Sequence, residues 1–235
     1  MQAAVIAGGL GTRLGALTKD IPKPLVPVAG RPFLEHQLGL LKAGGVDKVV
    51  LCIGHLGEQI QAFVGDGSRW GLEVAYSLDG STLLGTGGSL KKAAPLLEER
   101  FLLTWGDSYL EIEHRQVWQA FLASGLPAMM VVWRNRGAKE PSNVCLEGDR
   151  VADYDKWAPG PEFDCIDYGL SALSKQVLQA IPEGEPHAIE EVFRDLARRG
   201  ELGAYVVERA FMEIGSPAGL AELEAHLRAR EGKQP

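Results

Sequence analysis

Apolar and polar positions along the chain fall into blocks whose length and period separate strands from helices. The short apolar run Ala3 to Ala7 ends at Gly8-Gly9 and predicts a buried strand feeding a glycine loop. Beyond Pro32, the residues Phe33, Leu34, Leu38 and Leu41 recur on one helical face, and Gly44-Gly45 close that helix. Val46 to Ile53 (VDKVVLCI) predicts a second buried strand, Leu56 to Val64 a helix, and Leu72 to Leu78 a third strand. Ser89 to Leu97 predicts a helix, and the apolar run Phe101 to Trp105 a strand that stops at Gly106-Asp107. This alternation implies an α/β fold, a Rossmann-like, mainly parallel sheet with helices on both faces, whose ligands bind beyond the carboxyl ends of the strands. Gly8 to Arg13 and Asp107 both follow strands and are expected at that edge.

From about Pro127 the pattern shifts to short strands, Ala128 to Trp133, Asn143 to Leu146, Val151 to Tyr154 and Ile166 to Leu173. Two terminal helices, Ile189 to Arg199 and Pro217 to Arg230, bracket a strand around Ala204 to Glu208. There is no repeat, low-complexity tract or clear linker, so residues 1–235 are expected to form one domain. A composition of 46% hydrophobic and 23% charged residues is that of a chain able to bury a core rather than stay disordered. The net charge of -7 argues against general nucleic-acid binding, so any phosphate site must be a local concentration of cations.

Cys52, Cys145 and Cys165 are far apart and form no CxxC pair, which suggests neither a disulfide framework nor a zinc site. The start MQAAVIAGG has neither a basic region nor an apolar run of membrane length, so no signal peptide or membrane span is expected and the cytoplasm is the default location. His36, His55, His114, His187 and His226 show no metal-ligand spacing, and no serine sits in a GxSxG elbow, which leaves hydrolase chemistry without a foothold.

The loop Gly8-Gly9-Leu10-Gly11-Thr12-Arg13 can turn sharply and aim N–H groups at phosphate oxygens, although glycine turns after strands are also common without a ligand. It lacks the lysine of a Walker A loop. Gly9, Gly11 and Gly15 give GxGxxxG rather than the dinucleotide-binding GxGxxG, and the second strand ends in Gly54-His55 with no acidic residue. No tyrosine is followed four positions later by lysine, which makes hydride transfer a minor alternative. Lys23 is held between Pro22 and Pro24, whose restricted backbone would reduce the entropy cost of aiming it at a ligand; a solvated lysine is the other reading.

The segment GGLGTRLGALTKDIPKPLVPVAGRP resembles the signature of the sugar-phosphate nucleotidyltransferases, GxGTRLxPLTxxxPKPxxPxxGxP, departing mainly at Ala16 where proline is frequent. Further likenesses recur at Gly85 to Gly88, Gly106-Asp107, Asp155-Lys156, Ile166 to Leu170 (IDYGL) and Glu213 to Pro217 (EIGSP), so the resemblance spans essentially the whole chain. It implies transfer of a nucleotidyl group from a nucleoside triphosphate to a sugar 1-phosphate, with release of pyrophosphate and Mg²⁺ as cofactor. Residues 1–126 would then be mainly nucleotide-binding and 127–235 mainly sugar-phosphate-binding. Short length, LGTGGSL, WGDSY and IDYGLS look most like members acting on GTP and D-glycero-D-manno-heptose 1-phosphate, in the service of cell-surface polysaccharide biosynthesis. Mannose 1-phosphate with GTP, UTP- or CTP-dependent members, and a catalytically inactive nucleotide-sugar-binding regulator stay open, as does assembly into a homo-oligomer; no nucleic-acid or membrane partner is implied.

The resemblance also distributes roles. Arg13, Lys23 and Asp107 are the expected catalytic residues, Arg13 forking onto the β and γ phosphates and Lys23 reaching the α-phosphate or the pyrophosphate bridge. Ala7, Gly8, Gly9, Gly11, Thr12, Gly85, Thr86, Gly87 and Gly88 are the expected nucleotide-binding set, with Thr86 or Ser89 also suited to cap the helix that follows. Asn143, Asp155, Lys156 and Asp167 are expected around the sugar phosphate. Asp107 is the expected metal ligand, with Glu213 in place of the family's usual aspartate.

Overall fold

The structure is a computed structural model that describes residues 1–80, 83–135, 137–138, 141–157 and 159–232. In its first half, β1 (Gln2–Ile6) leads through a two-strand ladder, β2 (Pro27–Val28) and β3 (Arg31–Pro32), into α1 (Phe33–Ala43). There follow β4 (Lys48–Ile53), α2 (Gly57–Val64), β5 (Glu73–Leu78), α3 (Gly85–Ala93), β6 (Arg100–Trp105), β7 (Ser108–Tyr109) and α4 (His114–Ser124). The second half contains β8 (Ala128–Arg134), β9 (Val144–Glu147), β10 (Arg150–Tyr154), β11 (Cys165–Ser174), α5 (Ile189–Arg198), β12 (Leu202–Val207), β13 (Met212–Glu213) and α6 (Pro217–Glu231).

Among the described residues one nine-stranded sheet runs in the order β5-β4-β1-β6-β11-β8-β12-β10-β9. The first four strands are mutually parallel. Beyond them the sheet is mixed: β11 runs antiparallel to both β6 and β8, while β12 is parallel to β8. Strand alternation sorts the core into two layers. Ala4, Val50, Cys52, Leu103, Met130 and Val132 face α3 and α5, whereas Ala3, Val5, Val49, Leu51, Leu102 and Val131 face α1, α2 and α4. On α1 the stripe Leu34, Leu38 and Leu41 is buried, each side chain contributing about 1.5–3 kcal/mol relative to exposure. A third, smaller cluster joins Val28, Phe33, Tyr109, Met212 and Ile214 to Leu223 and Leu227 of α6.

Two of the helices depart from the sequence expectation. Helix α3 begins at Gly85 rather than Ser89, so the glycine-rich stretch forms its first turns, and Ala94–Leu96 continue as a 3₁₀ turn. The sequence pattern names no element between Gly106 and Pro127, where α4 buries Val117 and Phe121 one turn apart. No helix among the described residues is long and apolar enough to cross a membrane.

Candidate active site

Strands β1 and β6 are parallel neighbours, with Ile6 opposite Trp105, so the loops that leave them emerge side by side. Backbone bonds fix this: Gly106 N–H donates to Ile6 O at 2.8 Å and Ala7 N–H to Cys52 O at 2.8 Å. Gly11 has φ of +65°, a left-handed conformation, and a Cβ there would press against Thr18, whose hydroxyl donates to Gly11 O at 2.9 Å. The chain then returns through Pro22-Lys23-Pro24, and Lys23 Nζ meets Asp107 Oδ2 at 2.6 Å, with only 12% of the lysine side chain exposed. Ala7, Gly9, Gly11, Thr12, Arg13, Lys23, Thr86 and Asp107 all line one cavity of about 250 Å³. Arg13 is exposed on its wall and makes no hydrogen bond or ion pair among the described residues.

Gly8, Gly85, Gly87 and Gly88 lie off that cavity. A Cβ on Gly8 would meet Gly54 N at 3.1 Å and Asp79 Oδ2 at 3.2 Å, so this glycine serves loop-to-strand packing. The other three turn towards the segment that precedes α5. A Cβ on Gly85 would come within 2.7 Å of His187 O, and one on Gly88 within 2.6 Å of Glu185 O. The N–H groups of Gly87 and Gly88 both donate to His187 O. Thr86 does not cap its own helix, since the α3 N-cap is Leu84 with no side-chain bond, and Ser89 does not either. Instead the Thr86 hydroxyl accepts the Ile189 N–H at 2.9 Å, capping α5 from a distance, and donates to Glu190 Oε2 at 2.8 Å.

A second polar cluster lies where β10, β11 and α5 meet. The β11 register slips between Asp167 and Ser171, and Gly169 takes φ of +84° within this bulge. Gly169 N–H donates to Asp167 Oδ1 at 2.9 Å and the Tyr154 hydroxyl contacts Asp167 Oδ2 at 3.3 Å. Burial raises the Asp167 carboxyl above its usual range, against the Gly169 N–H and the Lys156 charge, which favour ionisation. Asn143 Oδ1 accepts the Asp167 N–H at 2.9 Å, so this side chain orients β11. Asp155 accepts from Trp157 N–H at 2.8 Å and sits 4.0 Å from Arg194, placing its carboxylate in the turn and against α5.

Lys156 Nζ is 2.8 Å from Glu190 Oε1. Burial works to lower the lysine's pKa, but the Glu190 carboxylate, with Asp167 and Asp107 adding their fields, raises it above the ordinary value. Burial likewise opposes ionisation of Glu190, and the Lys156 charge with the hydrogen bonds to it holds that carboxyl below its usual range. Glu190 is 5% exposed and is the member of this cluster that sequence reasoning missed. A signal was present: Glu190 falls on the same α5 stripe as buried Phe193 and Ala197, where a carboxylate is out of place unless it is paired.

Glu213 lies beside Asp107: β13 pairs with β7 at Glu213 and Ser108, and Ile214 N–H donates to Asp107 O at 3.0 Å. Its own carboxylate accepts from Gly215 N–H and, at 2.7 Å, from the Ser216 hydroxyl, at the start of α6. A Cβ on Gly215 would come within 3.1 Å of Lys23 Nζ and 3.3 Å of Arg13 Nη2, so this turn backs the two cations. Among the described residues no group of three or more His, Cys, Asp or Glu side chains could enclose a metal. The partly exposed oxygens of Asp107 do suit Mg²⁺, a hard cation that commonly takes one or two carboxylates and completes its shell with water and substrate phosphates. Glu213 meets the oxygen requirement but would have to release its helix-start contacts.

Comparison with known proteins supplies an independent observation. A family model described as "Nucleotidyl transferase" matches residues 2–153. The chain is 39% identical over 231 residues to the N-acetylmuramate alpha-1-phosphate uridylyltransferase of Neisseria meningitidis serogroup B, covering 96% of this chain and 97% of that one. It is 26% identical over 233 residues to the D-glycero-alpha-D-manno-heptose 1-phosphate guanylyltransferase of Campylobacter jejuni, covering 92% and 96%. The crystal structure of HddC from Yersinia pseudotuberculosis complexed with GMP-PN superposes with a TM-score of 0.81 at 25% identity, covering 96% of this chain and 99% of that one. Two longer curated relatives are spanned over only 32% and 64% of their length.

Proposed function

The chain belongs to the nucleotidyl transferase family, and from that premise we propose that it joins a sugar 1-phosphate to a nucleoside triphosphate, releasing pyrophosphate and leaving a nucleotide sugar. The observation that carries this reading is the meeting of Arg13, Lys23 and Asp107 in one cavity at the carboxyl ends of β1 and β6. Both substrates are anions, so positioning and charge neutralisation are what the protein must supply, and no protein nucleophile is needed.

In this reading the Gly9 to Thr12 backbone cradles phosphate oxygens, Arg13 forks onto the β and γ phosphates, and Lys23 neutralises charge near the α-phosphate. Lys156 holds the sugar phosphate so that its oxygen faces the α-phosphorus, and Asp167 takes a sugar hydroxyl. A Mg²⁺ held by Asp107, with Glu213 as the second carboxylate, would offset the charge that builds on the leaving pyrophosphate. The Lys23–Asp107 pair meanwhile compensates two partly buried charges with one another.

Two donor and acceptor pairs compete. GTP with D-glycero-D-manno-heptose 1-phosphate follows from the motif likeness and from the named activity of the Campylobacter relative. UTP with N-acetylmuramate 1-phosphate is favoured by the higher identity to the Neisseria relative over almost the whole of both chains. Pyrophosphate release with Mg²⁺, four triphosphates and a panel of sugar 1-phosphates separates them. Steady release is expected with one pair, and Asp107→Asn should nearly abolish it. Binding of both substrates without pyrophosphate would replace this reading by a regulator that holds nucleotide sugars.

A further inference from the structure

We propose that Glu190 is a positioning residue that couples the nucleotide side of the site to its sugar-phosphate side, one carboxylate oxygen fixing Lys156 and the other fixing Thr86. This inference rests on the functional reading above. The geometry is a short chain of contacts: Thr86 lines the nucleotide cavity, its hydroxyl donates to Glu190 Oε2 at 2.8 Å, and Glu190 Oε1 lies 2.8 Å from Lys156 Nζ. Thr86 also accepts the Ile189 N–H, so its hydroxyl is used in both directions and has one rotamer that satisfies both bonds. The Glu185 to Ile189 backbone lies close against Gly85, Gly87 and Gly88, and the Gly87 and Gly88 N–H groups donate to His187 O, so α3 and the start of α5 are packed and hydrogen-bonded together.

A carboxylate in the first turn of α5 suits the helix dipole, but an exposed one would serve that end, and Glu190 is buried. A buried ion pair is commonly no better than an apolar residue of similar size, and the neighbours of Glu190 on its stripe, Phe193 and Ala197, are buried apolar residues. What the carboxylate supplies is direction. Lys156 is about half exposed and faces the fields of Asp167 and Asp107 as well as Glu190. Among the described residues the hydrogen bond from its ammonium goes to Glu190, which sets it on the side of the cluster nearest Thr86. A sugar phosphate meeting Lys156 there would be aligned relative to the nucleotide cavity by the same carboxylate that holds Thr86 on the cavity wall.

The test is a kinetic cycle on the full chain. Glu190→Gln keeps the shape and can still accept from Thr86, but has no charge to fix Lys156. The KM for the sugar 1-phosphate should rise about tenfold or more, the loss of one hydrogen bond to a charged group, while the KM for the triphosphate changes less than about twofold. In a Lys156→Ala background the same substitution should add less than about twofold, because the group it acts through is gone. Thr86→Val should impair use of both substrates, and Thr86→Ser, which retains the hydroxyl, should restore them. Equal, independent losses from Glu190→Gln in the two backgrounds, or loss of melting temperature with unchanged KM values, would overturn the proposal. Should Glu190→Gln not fold, the Thr86→Val and Thr86→Ser pair decides alone: no difference between them refutes the coupling. A wild-type chain without turnover on any pair would instead count against the function, and binding of the same sugar 1-phosphates to the same variants would then read the coupling.

Discussion

Arg13 and Lys23 bring the same charge into one cavity, but they stand differently in the protein. Lys23 is mostly buried and paired with Asp107, whereas Arg13 is exposed and makes no hydrogen bond or ion pair among the described residues. Removing Arg13 therefore tests chemistry with little disturbance of the fold. Arg13→Ala should lower turnover by roughly 100-fold or more, the usual cost of one electrostatic contact to developing charge, with the melting temperature moving less than about 2 °C. Pyrophosphate release and calorimetry on the same sample would check this, and wild-type turnover would remove Arg13 from the site. These residues were legible because they fall in one short stretch, GTRLGALTKDIPKP, that resembles the family signature; its spacing alone left a solvated Lys23 as the other reading. Glu190 was not, because its partners Thr86 and Lys156 lie 104 and 34 residues away and because a Glu-Glu pair at a helix start resembles an ordinary solvated first turn. Asn143 and Asp155 were expected around the sugar phosphate, and only the folded chain shows that their side chains are engaged in the β11 backbone and in a turn.

At the level of elements, the strands were readable because burial on both faces leaves long apolar runs, and the runs beginning at Val46 and Phe101 end within a residue or two of β4 and β6. Short ladders such as β7 with β13 were not, since two residues carry no period and the partner is far away in sequence. The start of α3 was misread for a physical reason: three glycines weaken a helix locally, yet their missing side chains are what let the Glu185 to Ile189 backbone approach. Two glycine substitutions should therefore behave oppositely. Gly88→Ala puts a methyl 2.6 Å from Glu185 O and should cost about 1–3 kcal/mol, seen as a melting temperature lower by several degrees. A methyl on Gly9 would meet nothing within 4 Å, and its φ lies outside the left-handed region, so Gly9→Ala should leave the melting temperature alone. That methyl would enter the cavity assigned to phosphate, and the KM for the triphosphate should rise severalfold. A Gly9→Ala enzyme with an unchanged KM would mean that phosphate does not approach this face of the loop.

On the scale of the whole molecule, two apolar layers share one sheet, so a titratable group buried in this packing is linked to the stability of the packing around it. His114 is the clearest such group. It opens α4, is 3% exposed, and packs against Gly44 at the end of α1. Burial depresses its pKa from 6.5 to about 4, with a backbone contact at Ile112 opposing. The folded protein therefore rejects a proton that the unfolded chain accepts near pH 6.5. Stability from this group is fully present above pH 6.5 and is lost as the pH falls towards 4, by up to on the order of 3 kcal/mol. Other groups titrate in acid with different signs. Glu190, held low, adds to the loss only below the ordinary carboxylate range, while Asp167, held high, is relieved by protonation and works the other way. The His114 contribution is isolated by difference: urea unfolding of the wild type and of His114→Leu at pH 7, 6 and 5 should show a steeper fall for the wild type, because leucine cannot take the proton. The variant will have its own stability at pH 7, since leucine fills the space differently, and only the slope with pH is diagnostic. Parallel slopes in the two proteins would show that His114 is protonated in the folded state, and that the junction of α1 and α4 is open to water.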